Sequence, residues 1–267
     1  MASFRAYYLA ARNTWDETLT YRLNFAVWRL RVFLSLISTY FLWLVLLPKG
    51  ENIAGYNQSS MLTYIVGGGI VYSIVLSTRV AAVSDDIVQG NLSNYLLRPV
   101  NYIVYYFFKD FGDKGMNLFF SFFEISLIFI LLRPPFYIQT NLLFIFGFFL
   151  SIILAIVINF YLNMLLSFVG FFSSEAWAPR FIFFIILGFF SGTIFPLDIL
   201  PSQIYSFLKL LPFLYLIYFP MKIYLGQIHM QEVFSGLLIS LIWSVGLYFI
   251  TNFLWNKGLH LYSAQGR

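Results

Sequence analysis

The clearest pattern along the chain is a series of long apolar stretches without charge. Asp, Glu, Lys and Arg are all absent from residues 52–78, 134–174 and 233–256. A helix needs about 20 apolar residues to cross a hydrocarbon core roughly 30 Å thick, so several of these stretches are long enough. The pattern predicts six membrane-spanning helices, at residues 25–47, 60–82, 116–133, 142–170, 180–197 and 232–256.

The composition agrees with an all-α, polytopic integral membrane protein. Apolar residues make up 60% of the chain and charged residues only 10%, against roughly 25% charged in a soluble domain. The sequence has no cysteine, which excludes disulfides, thiol nucleophiles and cysteine metal sites. No repeat or linker divides it, so residues 1–267 are predicted to form a single transmembrane domain.

The positions of lysine and arginine predict the orientation. With the N-terminus inside, the outer segments hold only Lys49, Arg133, Lys209 and Lys222. The inner segments hold the remaining twelve, which are Arg5, Arg12, Arg22, Arg29, Arg31, Arg79, Arg98, Lys109, Lys114, Arg180, Lys257 and Arg267. Cytoplasmic loops carry an excess of basic residues. Both termini are therefore predicted to be cytoplasmic, in a plasma (bacterial inner) membrane, and the net charge of +5 is attributed to topology rather than nucleic-acid binding.

The first 22 residues have a pattern of their own. Aromatic and apolar side chains recur at helical spacing, among them Phe4, Tyr7, Trp15 and Leu19, with basic residues on other faces. An apolar stripe with basic flanks favours an interfacial helix over residues 1–22, lying on the membrane. The alternative is an ordinary cytoplasmic helix packed on protein.

A second unusual segment, residues 196–231, is apolar but interrupted by prolines. These are Pro196, Pro201, Pro212 and Pro220. Proline breaks helices, and the pieces between are too short to span a bilayer. We therefore predict an external re-entrant segment of two short helices rather than a seventh span.

Four polar residues interrupt the predicted spans. They are Glu124 in the third, Arg79 at the inner end of the second, and Asn159 and Asn163 in the fourth. Polar groups at membrane depth usually face protein or water. Glu124 therefore either gates or contacts a substrate pathway, or pairs with Arg79, Lys114 or an asparagine to orient helices; the second interpretation is preferred.

Glycines in two spans indicate close packing of helices or, in the second span, a flexible point. Gly67, Gly68 and Gly69 lie inside the second span with no lysine after them, which argues against a phosphate loop. Gly188 and Gly192 form a small-xxx-small pattern in the fifth span. This spacing predicts tight packing, within the chain or against another subunit.

The most informative segment is the predicted inner loop at residues 84–99. We expect the second span to continue to about Gln89. Gly90 suits the left-handed conformation that ends a helix. Asn91 suits the N-cap of a short second helix, which Pro99 would end.

One face of that short helix is apolar, formed by Leu92, Tyr95 and Leu96. A helix below about 12 residues is marginal on its own, so it must lean on other protein. We predict that this face docks on a partner protein, with a polar rim; a surface loop folded on its own bundle is the alternative. The predicted docking residues are Asp85, Asp86, Gln89, Gly90, Leu92, Tyr95, Leu96, Arg98 and Pro99.

Three stretches together resemble the permease subunits of type-2 ATP-binding-cassette (ABC) exporters, in a six-span subgroup. The first is residues 86–100, where Gly90 precedes a leucine-rich stretch ending in Arg98 and Pro99. The second runs from residue 191 to 226 and contains the prolines described above. The third is the C-terminal stretch KGLHLYSAQG, residues 257–266.

The resemblance implies a mechanism and a set of partners. Two permease subunits, identical or related, form a substrate pathway, and separate ABC ATPase subunits holding ATP and Mg drive export. The short inner helix would fit a groove on the ATPase. The chain would bind no cofactor or metal and catalyse no reaction, in keeping with its lack of Walker, H-E-x-x-H and G-x-S-x-G signatures. Its expected partners are the ATPase, a second permease, the lipid bilayer and an unidentified substrate, with no nucleic acid.

Two other function classes remain open from the residues themselves. A secondary transporter or channel would need no ATPase, but that class often shows inverted repeats, and none is visible. An enzyme acting on lipid would need reactive side chains clustered at one depth. The two histidines, His229 and His260, lie near predicted span ends and form no such cluster.

Overall fold

The computed structural model describes residues 4–262, and its regular elements over that range are all helices. Three single 3-10 turns lie at Phe168–Phe171, Leu197–Ile199 and Phe213–Tyr215. The α-helices are α1 Phe4–Thr20, α2 Arg22–Leu46, α3 Gln58–Val75, α4 Ala81–Val88, α5 Leu92–Leu96, α6 Tyr102–Leu132, α7 Leu142–Ser167, α8 Trp177–Phe190, α9 Ser202–Leu208, α10 Tyr218–Tyr224 and α11 Met230–Leu261.

Four helical segments are long and apolar enough to cross a membrane. They are α2, α6, α7 with the turn that follows it, and α11, which confirms a polytopic all-α membrane protein. The other two predicted spans correspond to the shorter helices α3, with 18 residues, and α8, with 14. At 1.5 Å per residue, α8 is only about 21 Å long. The count of six spans therefore stays a prediction.

Asparagine side chains define the starts of three helices. Asn57 Oδ1 accepts a hydrogen bond from the Ser60 backbone N–H at 2.8 Å at the start of α3. Asn101 and Asn141 cap the starts of α6 and α7 in the same manner. Such caps satisfy backbone donors that the first helical turn leaves free.

The main core lies where α3, α7 and α10 meet. Tyr64, Val66, Ile217, Met221 and Ile223 are all at most 1% exposed there. The approach is close, because a Cβ placed on Gly67 would lie 2.7 Å from the Cε of Met221. The prediction that the glycines of the second span allow close helix packing is confirmed at this position.

The proline-interrupted segment contains two short helices, α9 and α10, as predicted. Residues Tyr218 to Ile223 of α10 are all buried in protein. Lys222 is part of this buried group, and its Nζ lies 2.6 Å from Asp198 Oδ2. Irregular backbone at membrane depth must be covered in this way. Entry of the segment from the outer side of a membrane stays a prediction.

The N-terminal helix α1 packs along the first half of α6. Trp15 Nε1 donates a hydrogen bond to the Gly112 carbonyl at 2.7 Å, and the Tyr7 ring stacks on Phe108 at 5.5 Å. The side chains of Phe4, Tyr8 and Leu19 on α1 are nevertheless exposed. Part of the helix thus packs on protein, as the alternative interpretation requires, and its exposed apolar side chains are what an interfacial position needs. Lying on the membrane stays a prediction for this helix.

Helices α1 and α6 approach so closely at Gly112 that adding a single methyl group there tests the contact between them. A Cβ at Gly112 would lie 2.4 Å from the backbone oxygen of Ala11. Because backbone cannot yield easily, Gly112→Ala should lower stability by about 1–3 kcal/mol. It should also speed proteolysis of α1, measured together with the melting temperature in detergent.

The matched control is Gly246→Ala in α11, where a Cβ meets nothing within 4 Å. Replacing a helical glycine in open space should raise stability slightly. Equal melting temperatures for the two variants would show that α1 does not depend on this contact.

Candidate functional site

The second predicted span is interrupted before it reaches the inner loop. Helix α3 ends at Val75, and α4 begins only at Ala81. The prediction that the second span continues as one helix to about Gln89 is therefore wrong. The Nζ of Lys114 on α6 donates hydrogen bonds to the carbonyls of Val75 and Ser77. A cation thus replaces the hydrogen bonds that the next helical turn would have supplied to these carbonyls.

The far side of the interruption is also held by α6. Asp110 Oδ1 accepts the backbone N–H of Arg79 at 2.9 Å, and its Oδ2 lies 3.1 Å from Lys114 Nζ. The Arg79 guanidinium lies 2.7 Å from Asp113 and also donates to the hydroxyl of Thr18 on α1. The segment between α3 and α4 is therefore fixed to α6 by ion pairs rather than by helical backbone.

Glu124 pairs with a residue that sequence reasoning placed elsewhere. Arg29 on α2 donates through Nε to Glu124 Oε1 at 2.8 Å and through Nη2 to the other carboxylate oxygen. Arg29 is 4% exposed and also donates to Ser73, Asn117 and Ser121. The predicted partners, Arg79, Lys114 or an asparagine, are therefore wrong, and the actual partner lies within the first predicted span. The pairing itself favours the interpretation that Glu124 orients helices.

The two asparagines of the fourth predicted span contact each other within α7. Asn163 Nδ2 donates to the Asn159 carbonyl at 2.9 Å and to its Oδ1 at 3.1 Å. Asn159 is fully buried, whereas Asn163 reaches the lining of a cavity. Only Asn163 is thus placed to meet a ligand.

Gly188 and Gly192 do not form a packing face within the chain. A Cβ added at Gly188 would meet no atom of residues 4–262 within 4 Å, so no described helix lies against this position. Gly192 follows the end of α8 in the left-handed conformation, with φ of +83°. There a Cβ would lie 2.5 Å from the hydroxyl of Tyr64, which donates to the Gly192 carbonyl. The prediction of tight packing within the chain is wrong for Gly188, and packing against another subunit stays untested.

The inner loop has the predicted shape with one difference. Gly90 has φ of +78°, the left-handed conformation expected after α4. Helix α5 follows directly and has five residues. Asn91 does not cap it, because its side chain donates to Gln89 Oε1 instead.

The loop is anchored to α6 and to the end of α11 by hydroxyl groups. Asp86 Oδ2 accepts hydrogen bonds from Tyr102 at 2.8 Å and Tyr106 at 2.6 Å. The Tyr262 hydroxyl donates to the Gly90 carbonyl at 2.6 Å and accepts from the Ser93 backbone N–H at 3.1 Å. Asp86, predicted at a polar rim, is thus an internal acceptor that fixes the loop.

Helix α5 turns part of its predicted docking face inward. Leu92 is fully buried inside the chain, and the Tyr95 ring lies 5.2 Å from that of Tyr102. Burial, with a contribution from Asp86, raises the pKa of Tyr95 to about 12, so it is a neutral phenol at physiological pH. The prediction that Leu92 contacts a partner is wrong. The exposed apolar side chains are Leu96, at 47%, and Leu97, at 87%.

The remaining exposed side chains near α5 are polar or rigid. Arg98 and Pro99, which follow Leu97, are exposed, and so are Asp85 in α4 and Gln89 at its end. The Arg98 guanidinium lies 5.4 Å from the Tyr95 ring. We call Leu96, Leu97, Arg98 and Pro99 the loop tip.

A cavity of about 470 Å³ lies between α2, α3 and α8. Helix α8 packs loosely, and Leu187 is its only buried residue. The cavity runs from Arg180 and Thr78 at the end near the inner loop to Thr193 and Ile194 at the opposite end. Its size is in the range of small-molecule sites.

The comparison with known families decides the class of protein. A family model described as ABC-2 family transporter protein matches residues 33–266. The chain belongs to the ABC-2 transporter family. The match includes the inner loop and the cavity helices α3 and α8, whereas α1 and Arg29 precede it. No curated protein matches the chain.

Membership of the ABC-2 family fixes the general role. Proteins of this family are membrane components of transport systems rather than enzymes, and family membership implies association with an ATPase subunit in general. The C-terminal resemblance over residues 257–266 falls within the match, although residues 263–266 lie outside the described part of the structure.

The Arg29–Glu124 pair offers a test of its structural role. Removing one partner of a buried ion pair lowers the free energy of unfolding by about 3–5 kcal/mol, because the other charge is left uncompensated. Arg29→Met should therefore lower the melting temperature of this ABC-2 protein in detergent strongly. Arg29→Met with Glu124→Met should recover much of the loss, since no charge is then left unpaired.

The control for these Arg29 and Glu124 variants is Arg133→Met at the exposed end of α6. It removes a cation without leaving a buried carboxylate, and should change stability little. A double variant as unstable as the sum of the two single variants would contradict coupling between Arg29 and Glu124.

Proposed function

We propose that this chain is the transmembrane permease subunit of an ABC exporter, paired with a second permease and driven by a separate ATPase. The second permease is either an identical copy or a related chain. Family membership supports the transport role. The observation that carries the proposal further is the loop tip, an exposed apolar end on a loop that is otherwise firmly anchored.

The loop tip has the properties of a docking element. Leu96 and Leu97 protrude while Leu92 is fully buried in the protein. The hydrogen bonds of Asp86 tie α4 to α6, and those of Tyr262 tie Gly90 and the start of α5 to the end of α11. A push on the tip is therefore transmitted to two long helices rather than absorbed by the loop. ATP and Mg would bind to the ATPase, as the resemblance implies, and not to this chain.

The contacts also support the proposed orientation. The Tyr7 hydroxyl accepts a hydrogen bond from the Asn101 backbone N–H, and the Tyr262 hydroxyl donates to Gly90. The N-terminal helix, the inner loop and the end of α11 therefore lie at one end of the bundle. That end carries the positive charges expected of a cytoplasmic face. We place it in the cytoplasm and the protein in the plasma membrane, which is the inner membrane in a bacterium.

The pathway is proposed to run along the cavity between α2, α3 and α8. Helix α8 leaves half of its residues exposed, including Phe181, Ile185 and Phe189. A loosely held helix beside a cavity is the part of the bundle that can move at low cost. A second permease facing α8 would close this side and complete a pathway between the two subunits.

Docking is tested by truncating the loop tip. Leu96→Ala with Leu97→Ala should weaken binding of the ATPase in a pull-down by about thirtyfold or more, since anchors at an interface centre typically contribute about 2 kcal/mol or more. Both side chains are exposed, so insertion and melting temperature should be unchanged.

The matched control for docking is Val45→Ala with Leu46→Ala, two exposed residues at the other end of the bundle. It should leave ATPase recovery at the level of the unmodified chain. If the loop-tip variant retains as much ATPase as this control, the loop tip is not the docking element.

The orientation is tested by cysteine labelling, which is simple in a chain without cysteine. In intact cells, Leu97→Cys should not react with a membrane-impermeant thiol reagent, whereas Gln203→Cys on α9 should react. Permeabilised cells should label both, because both positions are exposed. Labelling of Leu97→Cys in intact cells would reverse the proposed topology.

A further inference from the structure

Two arginines in the cavity between α2, α3 and α8 have no acidic partner. Arg31 lies with its guanidinium carbon 5.9 Å from the centre of the Phe184 ring. Arg180 donates to the Ala81 carbonyl at 3.0 Å and to the Ser167 hydroxyl at 3.4 Å. Within residues 4–262, neither forms a salt bridge, and no Asp or Glu lines the cavity.

Three other basic residues of the bundle are buried and have acidic partners. Arg29 pairs with Glu124, Lys114 with Asp110, and Lys222 with Asp198, in each case across a short distance. The buried cations of the bundle are thus each accompanied by a carboxylate. Arg180 is half-buried and Arg31 is exposed on α2, and neither has such a partner. Asp85 attracts Arg180 but is exposed on α4 and does not line the cavity.

The two arginines lie at the same end of the cavity. Phe184 follows Arg180 by four residues on α8, so the two side chains share a face of that helix. Arg31 rests against Phe184 from the side of α2. Thr78 joins them in the lining from the segment between α3 and α4. This end therefore presents two cations and a hydroxyl group close to the cytoplasmic end of the bundle.

The rest of the cavity is mainly apolar. Side chains from all three helices line it, and Gly68, Gly69 and Gly188 widen it by lacking side chains. The apolar lining consists mainly of Val32, Leu36, Ile65, Phe183, Leu187 and Ile194. The cavity thus changes along its length from cationic to apolar.

We propose that the cargo of this transporter is an anionic amphiphile, with a phosphate or carboxylate head at Arg31 and Arg180 and a hydrocarbon tail along α8. This rests on the proposed function, because it assigns a substrate class to the proposed pathway. Arginine presents a planar set of donors that matches phosphate and carboxylate oxygens. A cationic amphiphile of the same shape would be repelled by the two unpaired charges.

Binding is measured on the full chain in nanodiscs of phosphatidylcholine, without ATPase. Decyl phosphate and decyltrimethylammonium share one tail and differ in the sign of the head. Decyl phosphate should bind roughly tenfold or more tightly, and Arg31→Gln should remove most of that preference. Arg180→Lys keeps the charge beside Ala81 and should retain part of the preference for decyl phosphate. Arg180→Gln removes the charge and should lose that preference.

The control is Arg22→Gln, an exposed arginine on α2 that does not line this cavity. It should leave the preference unchanged. Three results would overturn the proposal: equal binding of the two amphiphiles, an effect of Arg22→Gln as large as that of Arg31→Gln, or loss of binding when phosphatidylglycerol is included in the disc. The last would assign the site to bulk lipid instead of cargo.

This outcome is separable from the proposed function. If the unmodified chain recovers no ATPase in the pull-down, the transporter assignment is removed while the binding preference stays intact. Normal docking with no preference between the amphiphiles would retain the transporter and reject this cargo class.

Discussion

One face of α6 carries a polar side chain at nearly every turn, and each has to find a partner before the helix can be buried. The series contains Asp110, Asp113, Lys114, Asn117, Ser121 and Glu124, most of them spaced three or four residues apart. An unpaired charge at membrane depth costs several kcal/mol. The partners come from α2 and from both sides of the interruption between α3 and α4, and Thr18 of α1 accepts a further hydrogen bond from Arg79, the partner of Asp113. The positions of those elements therefore follow from the need to neutralise this one helix face.

The same constraint determines which parts of the molecule move together. The inner loop is connected to α3 through five residues whose backbone is held by Asp110 and Lys114 of α6, and the loop itself is held by Tyr102 and Tyr106 of α6. Force applied at the loop tip thus reaches α6 directly. The cavity side is held less firmly, because α8 buries only Leu187, although its Arg180 donates to Ala81 and Ser167. In the proposed transporter, the firmly held half would receive the push and the loosely held half would line the cavity.

Much of this arrangement could be predicted from local sequence. The apolar stretches located the long helices, and Gly90 was correctly placed in the left-handed conformation because that requirement is local. The main errors concern pairings distant in sequence. Arg29 was counted with the inner segments although it lies within the first predicted span, and its partner Glu124 lies 95 residues away. The interruption after Val75 depends on Lys114, 39 residues later. The apolar face of α5 was recognised, but no local pattern says whether such a face meets its own bundle or another protein.

The central claim is that the loop tip meets an ATPase. It is tested most directly by placing a photo-crosslinking amino acid at Leu97, which is 87% exposed, and at Val45, which is 75% exposed at the other end of the bundle. After illumination in cells, the crosslinked protein is identified by mass spectrometry. The account predicts a soluble protein with Walker motifs crosslinked from position 97 and not from position 45. Absence of such a protein from position 97, or its equal capture from both positions, would contradict it.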